Sequence, residues 1–148
     1  MTPKELQDLF NQEIPITKSM GLDVVKSTSD EVILKFKLDV NKNHKGTAFG
    51  GSQYSACALS CYGLFLVGLR ERGYTTNNIV ISDGKISYDH PVGENFIAKA
   101  SWSLDSQTEF FDKLSRKQKA KVTLTALVEA KAKVCTSFEG DFVAILDR

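Results

Sequence analysis

Residues 43–69 read NHKGTAFGGSQYSACALSCYGLFLVGL, and the rest of the chain is organised around them. The stretch begins as a polar loop with a glycine at 46 and changes character at Gly50-Gly51, after which no charged residue appears until Arg70. A helix that is apolar on every side gains nothing by facing water and belongs in an interior. Its first turn differs. The N–H groups there lack intrahelical partners, and the helix dipole makes that end positive. The expectation is a buried helix ending near Arg72, with Gly73 as its stop, whose positive end opens onto a glycine-lined cleft.

Upstream, Thr2, Pro3 and Glu5 carry the signature of a helix start, a capping box with proline at the first helical position. Leu6, Leu9 and Phe10 give that helix one apolar face, Pro15 ends it, and 16–20 reads as one further turn before Gly21. Such a short amphipathic helix is expected to lie across an edge of the main body. Residues 22–27 and 31–38 read as strands. In the second, Val32, Leu34, Phe36 and Leu38 alternate with Lys35 and Lys37, so one face is buried and the other wet.

Downstream of the central helix everything reads as strand. In 78–90 the alternation changes parity, with Ile79 and Ile81 on one face and Ile86 and Tyr88 on the other. That change predicts a bulge around Ser82-Asp83-Gly84, a device that re-aims side chains beside sites. Pro91-Val92-Gly93 turns the chain, and Phe96, Ala98, Ala100, Trp102 and Leu104 then alternate with polar residues. Residues 120–130 and 133–146 form the last two strands, the latter broken at Gly140-Asp141. Antiparallel strands with one apolar face need a cover, and the apolar helix supplies it. The fold class is therefore α+β, a curved antiparallel sheet wrapped around one long central helix.

Composition bounds the function. At 148 residues, 42% hydrophobic and 25% charged, the chain fits one globular domain spanning 1–148. A net charge of +1 gives no general electrostatic drive toward nucleic acid. The apolar run 56–69 is shorter than the ~20 residues a membrane span needs, and MTPKELQDLF lacks the apolar region of a secretory signal. Cys57, Cys61 and Cys135 have no zinc-ligand spacing and read as reduced thiols in a cytoplasmic protein, with no metal and no cofactor.

Two motifs narrow the class further. Asn43, Gly46, Phe49, Gly50 and Gly51 form N-x-x-G-x-x-[HF]-G-G, and Tyr88-Asp89-His90-Pro91-Val92 closes a strand as Y-x-x-P-[AV]. With the element order, they resemble the hotdog-fold acyl-thioester enzymes. The nearest likeness is to the thioesterase domain found at the C-terminal end of some bacterial acetyltransferases (YiiD C-terminal type), and it covers nearly the whole chain. The resemblance implies hydrolysis of a coenzyme A or acyl-carrier-protein thioester in fatty-acid metabolism. It also implies a homodimer or dimer of dimers whose site forms between subunits. In such families the glycine N–H at the helix start polarises the thioester carbonyl, a role that falls here on Gly50 and Gly51. The loop asparagine, here Asn43, orients carbonyl or water. Gly46, Phe49, Ser52 and Tyr54 are expected to line the substrate.

The chain departs from the pattern in two places. Phe49 stands where the common form has His, and Ala58 stands where the best-known thioesterases of this pattern carry a helix carboxylate. The acid or base must then come from elsewhere, and His44 and Asp83 are the candidates. The dehydratase branch, which needs a helix acid, is disfavoured. His90 reads as structural, and no G-x-S-x-G elbow supports a serine triad. The basic segment with Lys113, Arg116, Lys117, Lys119 and Lys121 reads as a solvated connection between strands. Its sharper reading is a docking surface for coenzyme A phosphates or an acidic carrier protein, with Glu109-Phe110-Phe111 as an apolar wall for an acyl chain. Two rival functions stay open: an acyl-binding module without hydrolysis, and acyl transfer or condensation, which requires a reactive Cys57.

Overall fold

The structure, a computed structural model, describes residues 1–146. Its elements in chain order are α1 (Pro3–Glu13), α2 (Ile16–Ser19), β1 (Asp23–Ser27), β2 (Glu31–Phe36), α3 (Gly50–Glu71), β3 (Ile79–Tyr88), β4 (Phe96–Ser101), α4 (Leu104–Lys117), β5 (Lys119–Ala130) and β6 (Lys133–Ile145). The six strands form one antiparallel sheet in the order β1-β2-β4-β5-β6-β3. Its concave face holds Val32, Leu34 and Phe36 of β2, Phe96, Ala98 and Ala100 of β4, Leu124, Ala126 and Val128 of β5, and Phe138, Phe142 and Ala144 of β6, all buried. Into that hollow lies α3, with thirteen of its residues buried, including the run Gly63–Leu69. No helix among the described residues is long and apolar enough to cross a membrane.

Both ends of the sheet's order are edges, and the protein treats them differently. At β1, α1 lies across the edge. Gln7 Nε2 donates to the Leu22 carbonyl at 2.8 Å, and the Val24 N–H donates to Gln7 Oε1 at 2.7 Å, so one side chain occupies the open backbone groups. At the other end β3 has no strand on its outer side among the described residues, and Val80 and Ile81 are 49% and 43% exposed.

The expected bulge is present: the β3–β6 register slips between Ile81 and Asp83. Its effect on facing is the reverse of the simple alternation. Ile79 and Ile81 pair with Ala144 and Phe142, while Ile86 and Tyr88 pair with Phe138 and Thr136. Opposed residues share a face, so all four point inward. The extra residue at 82 absorbs the parity change instead of splitting the strand between two faces. Asp83 pairs with Asp141, an odd-numbered β6 position on the outer face.

Two further expectations are corrected. Residues 104–117 are a helix, not a solvated connection or the end of a strand. The Ser103 hydroxyl caps it by accepting from the Ser106 N–H at 3.1 Å, and Gln107, Phe110, Phe111 and Leu114 make its buried stripe. The four lie at the 3–4 residue spacing of a helix face, and Lys113, Arg116 and Lys117 lie on its exposed side. Leu104 is accordingly the first helical residue and exposed. Second, β6 runs without a break through Gly140-Asp141. Gly140 is paired with both Gly84 and Leu124 and sits under the rings of Phe138 and Phe142, where a β-carbon would meet both.

The β5–β6 hairpin turns on Lys131 and Ala132, with φ of 50° and 60°. A two-residue turn with both φ positive is the type I′ geometry that favours Asn-Gly, and a β-carbon there is strained. Ala132→Gly is therefore expected to raise the unfolding free energy by about 1 kcal/mol, read as a higher urea midpoint at unchanged slope. A lower midpoint would show that the turn is not strained.

Candidate functional site

The loop entering α3 is fixed from below by a residue the motif did not flag. Asn41 is buried, and its Nδ2 donates to the carbonyls of Met20 and Lys37 at 2.8 and 2.7 Å. Its own carbonyl accepts the Phe49 N–H at 2.7 Å. Gln53 works from the helix side. Its Nε2 donates to the Ala48 carbonyl at 3.1 Å, and the Thr136 hydroxyl donates to its Oε1. Buried polar groups of this kind are costly unless paired, so the two amides hold the junction in one geometry. The only sequence signals were an asparagine in a glycine-poor stretch of loop and a lone amide in an apolar helix.

Asn43 organises the tip of the loop. Its Oδ1 accepts from the N–H groups of Lys45 and Thr47 at 2.9 and 3.1 Å, and its Nδ2 donates to Thr47 Oγ1 at 2.9 Å. Gly46, at φ 78°, supplies the left-handed step of that turn. His44 and Lys45 project from the tip and are exposed.

At the helix start Phe49 occupies the cap position in extended conformation and contributes no side-chain cap. The first backbone bond runs from the Gln53 N–H to the Phe49 carbonyl, so the N–H groups of Gly50, Gly51 and Ser52 have no partner in the helix. A Ser, Thr, Asp or Asn cap would contribute about 1 kcal/mol. The helix forgoes it, which its buried side chains, at about 1.5–3 kcal/mol for each large one, easily offset. Phe49, 56% exposed, lays its ring against Gly51 where a β-carbon would collide with it. Tyr54 reaches across to β3, and its hydroxyl occupies the space a side chain at Gly84 would need.

Tyr88 completes the mouth. From the inner face of β3 its hydroxyl donates to the Gly50 carbonyl at 2.8 Å. That carbonyl and the Gly51 N–H belong to one peptide group, so a bond to the oxygen polarises the N–H into a stronger donor. Burial chiefly, then the neighbouring Cys57 and Tyr54, push the Tyr88 phenol above its ordinary value, and it stays a donor at neutral pH.

Cys57 lies just below. It is fully buried, and burial pushes its thiol up to about 12; Cys61, one turn on, is raised well above its ordinary value, first by burial and then by Cys57. Both thiols are therefore protonated and out of reach of solvent, the opposite of what a nucleophilic cysteine needs.

The remaining candidates are not brought to this mouth within one chain. Asp83 faces the outer side of the sheet and accepts from the Gly84 N–H at 3.0 Å. Lys113, Arg116 and Lys117 lie on the exposed side of α4, with Arg116 paired to Asp112 at 3.1 Å. That helix packs on the far end of α3, Phe110 against Phe65 at 5.0 Å between ring centres, roughly 22 Å of helix beyond Gly50. Among the described residues no three His, Cys, Asp or Glu side chains cluster to hold a metal.

Further along the helix an open apolar groove of about 500 Å³ runs between α3 and β3, and Ala58 is among its lining residues.

A six-stranded antiparallel sheet curved around one long helix, with a glycine-started helix end at its mouth, defines the hotdog class. Within that class, a family described as "Putative thioesterase (yiiD_Cterm)" matches residues 3–146, and the chain belongs to it. A crystal structure of a protein of unknown function from Chlorobaculum tepidum is similar at 30% identity and TM-score 0.90, over 99% of this chain and 98% of that one. One described as a putative thioesterase from Shewanella oneidensis is similar at 26% identity and TM-score 0.87, over 97% and 96%. A phenylacetic acid degradation protein from Thermus thermophilus shares the fold at 20% identity and TM-score 0.65, over 89% and 99%.

Two outcomes are expected. In an ¹H–¹⁵N spectrum Tyr88→Phe moves the Gly51 amide proton upfield while the fold persists; an unmoved Gly51 signal would show that the hydroxyl does not polarise that peptide. Cys57 stays unlabelled by maleimide at pH 8 in the native protein, and its protection fails only on unfolding or as pH nears 12. The sign follows from a folded value raised above the ordinary thiol pKa of 9.0 to about 12. The stability from burying the neutral thiol is fully present below the ordinary value and is lost as pH rises toward the folded one.

Proposed function

We propose that the protein hydrolyses acyl thioesters of coenzyme A or of an acyl carrier protein, with the substrate carbonyl docked on the first turn of α3. The observation that carries this reading is the set of unpartnered Gly50, Gly51 and Ser52 amides, held rigidly by Asn41 and Gln53 at a positive helix end. Donors fixed in advance stabilise the oxyanion of a tetrahedral intermediate without reorganising, and one such donor is worth about 100–1,000-fold in turnover. Asn43 holds the loop tip and keeps an Nδ2 hydrogen for the carbonyl or the attacking water. Phe49 and Tyr54 wall the thioester, with Gly46 in the loop beside them.

The general base belongs, in this reading, to the assembled protein. The edge strand β3 presents an unpaired backbone and exposed Val80 and Ile81, surface suited to pairing with a second copy. Asp83 sits at the bulge of that same edge, so edge pairing into a homodimer, or a dimer of dimers, brings a second Asp83 to the interface; His44 is the other candidate. Lys113, Arg116 and Lys117 are the docking surface for a phosphate or an acidic carrier protein, reached across the assembly. The setting is the cytoplasm.

A second reading, acyl binding without hydrolysis, is favoured by the positions of Ala58, which leaves the groove without a carboxylate, and of Asp83, which faces outward. Acyl transfer through Cys57 does not fit a buried thiol with a pKa of about 12.

Steady-state assays across an acyl-CoA series, paired with Gly50→Pro, separate these readings. Proline suits the first helical position, so the variant removes one N–H and leaves the helix; its β-carbon also meets the Tyr88 hydroxyl at 3.3 Å, so Tyr88→Phe is assayed beside it to separate that contact from the lost amide. Turnover in the wild type that falls about 100-fold or more in the variant is the expected result. Turnover unchanged in Gly50→Pro contradicts the amide role. Native mass spectrometry showing retained acyl ligand without product would favour the binding reading.

A further inference from the structure

Two backbone bonds at the ends of β3 fix which of its groups face the open edge. The Ile145 N–H donates to the Asn78 carbonyl at 3.0 Å, and the Asp89 N–H donates to the Cys135 carbonyl at 2.9 Å, so Asn78 and Asp89 face β6. Facing alternates along an antiparallel strand, and the extra residue at 82 shifts the alternation by one. The backbone groups turned to the open edge are therefore those of Ile79, Ile81, Gly84, Ile86 and Tyr88. They are evenly spaced once the bulge is allowed for, and Gly84 is the middle one. Its N–H is not free. It donates to Asp83 Oδ1 at 3.0 Å, so the chain's own carboxylate caps the central donor of the edge.

The charges on the outer face are unbalanced at the same point. Asp83 lies opposite Asp141 of β6, a pairing of like charges, and the nearest cation, Lys121, reaches Asp141 at 3.9 Å. Lys85, exposed, lies opposite Glu139. Among the described residues neither Asp83 nor Lys85 is in an ion pair.

We propose that Asp83 is a latch for self-association: β3 pairs with β3 of a second copy about a two-fold axis at Gly84, and Asp83 exchanges the Gly84 N–H for Lys85 of that copy. The inference rests on the edge pairing proposed above and adds its register and the groups that set it. A closed contact between two copies is self-complementary. Only an axis at the middle residue engages the whole edge, with Gly84 meeting Gly84, Ile81 meeting Ile86 and Ile79 meeting Tyr88. Asp83 then stands directly opposite Lys85 of the second copy, in the close, non-hydrogen-bonded type of pair with Cα atoms about 4.5 Å apart. Symmetry makes two such pairs. Across the outer face the order becomes Asp141, Asp83, Lys85, Glu139, the last two from the second copy, so each unpaired charge gains an opposite neighbour. A foreign strand finds the central donor capped and brings no matching charge, so the latch favours the chain's own copy. The same register sets Ile79 of the second copy beside Tyr88, at the rim of the mouth, which is closed on that side only in the pair.

The test is sedimentation equilibrium of the full chain with reciprocal charge exchange. Asp83→Lys and Lys85→Asp are each expected to weaken the pair about tenfold, because both symmetric contacts become like-charged. Both substitutions together are expected to restore it to within about threefold of the wild type. Asp83→Cys combined with Lys85→Cys is expected to form a disulfide-linked dimer faster than either single variant. Hydrogen exchange at the Gly84 amide is expected to slow about tenfold or more from dilute, monomeric protein to the pair, as a carboxylate cap gives way to a backbone bond. None of these measurements uses a thioester. Rescue and cross-linking without any acyl-CoA turnover uphold the latch and remove only the hydrolase reading. A double variant that stays weak, or a cross-link no faster than in the single variants, overturns the latch. So does a Gly84 amide unchanged by pairing, or a chain that stays monomeric. Turnover that persists in those cases leaves the hydrolase reading standing.

Discussion

A long apolar helix must be surrounded, and one of its ends must still reach solvent. That constraint on α3 shapes the rest of the molecule. Four strands give it their inward faces, α1 covers its flank with Leu6 and Phe10, and α4 closes its C-terminal end with Phe110 and Phe111. The N-terminal end is the exception. Phe49 provides no cap, and the three amides that follow have no partner within the helix. A helix stabilised mainly by packing tolerates that omission, whereas a solvent-exposed helix of marginal stability would not. The burial of the helix body and the availability of its first turn are two consequences of one arrangement.

The bulge at residue 82 connects the two halves of the site. Were β3 regular, Ile79 and Ile81 facing inward would send Tyr88 outward, since side chains alternate strictly. One inserted residue restores Tyr88 to the inner face, where it meets Gly50, without losing the isoleucines from the groove. The same insertion turns Asp83 outward on the exposed edge. Local irregularity in a single strand thus decides that Tyr88 faces the helix start and Asp83 the outer side of the sheet.

Much of this was legible in the residues. The α3 boundaries follow from an uncharged run closed by Arg70 and Gly73, and the bulge from a parity change. The uncapped helix start falls at the glycine pair. Other parts were hidden for physical reasons. The α4 stripe was masked because lysines on its wet side resemble a loop, although Gln107, Phe110, Phe111 and Leu114 carry a helix period. Asn41 and Gln53 were invisible because their importance comes from carbonyls distant in sequence, those of Met20 and Ala48 among them. The outward turn of Asp83 depends on register, which the alternation of one strand does not determine.

The central claim is that the first-turn amides of α3 hold the thioester carbonyl. The most direct measurement is an ¹H–¹⁵N titration with an acyl-CoA ketone analogue, in which a methylene replaces the thioester sulfur and hydrolysis is blocked. The account predicts that the largest downfield proton shifts fall on Gly50, Gly51 and Ser52. Perturbations confined to α4 or the outer face of the sheet, with those three amides unmoved, would contradict it.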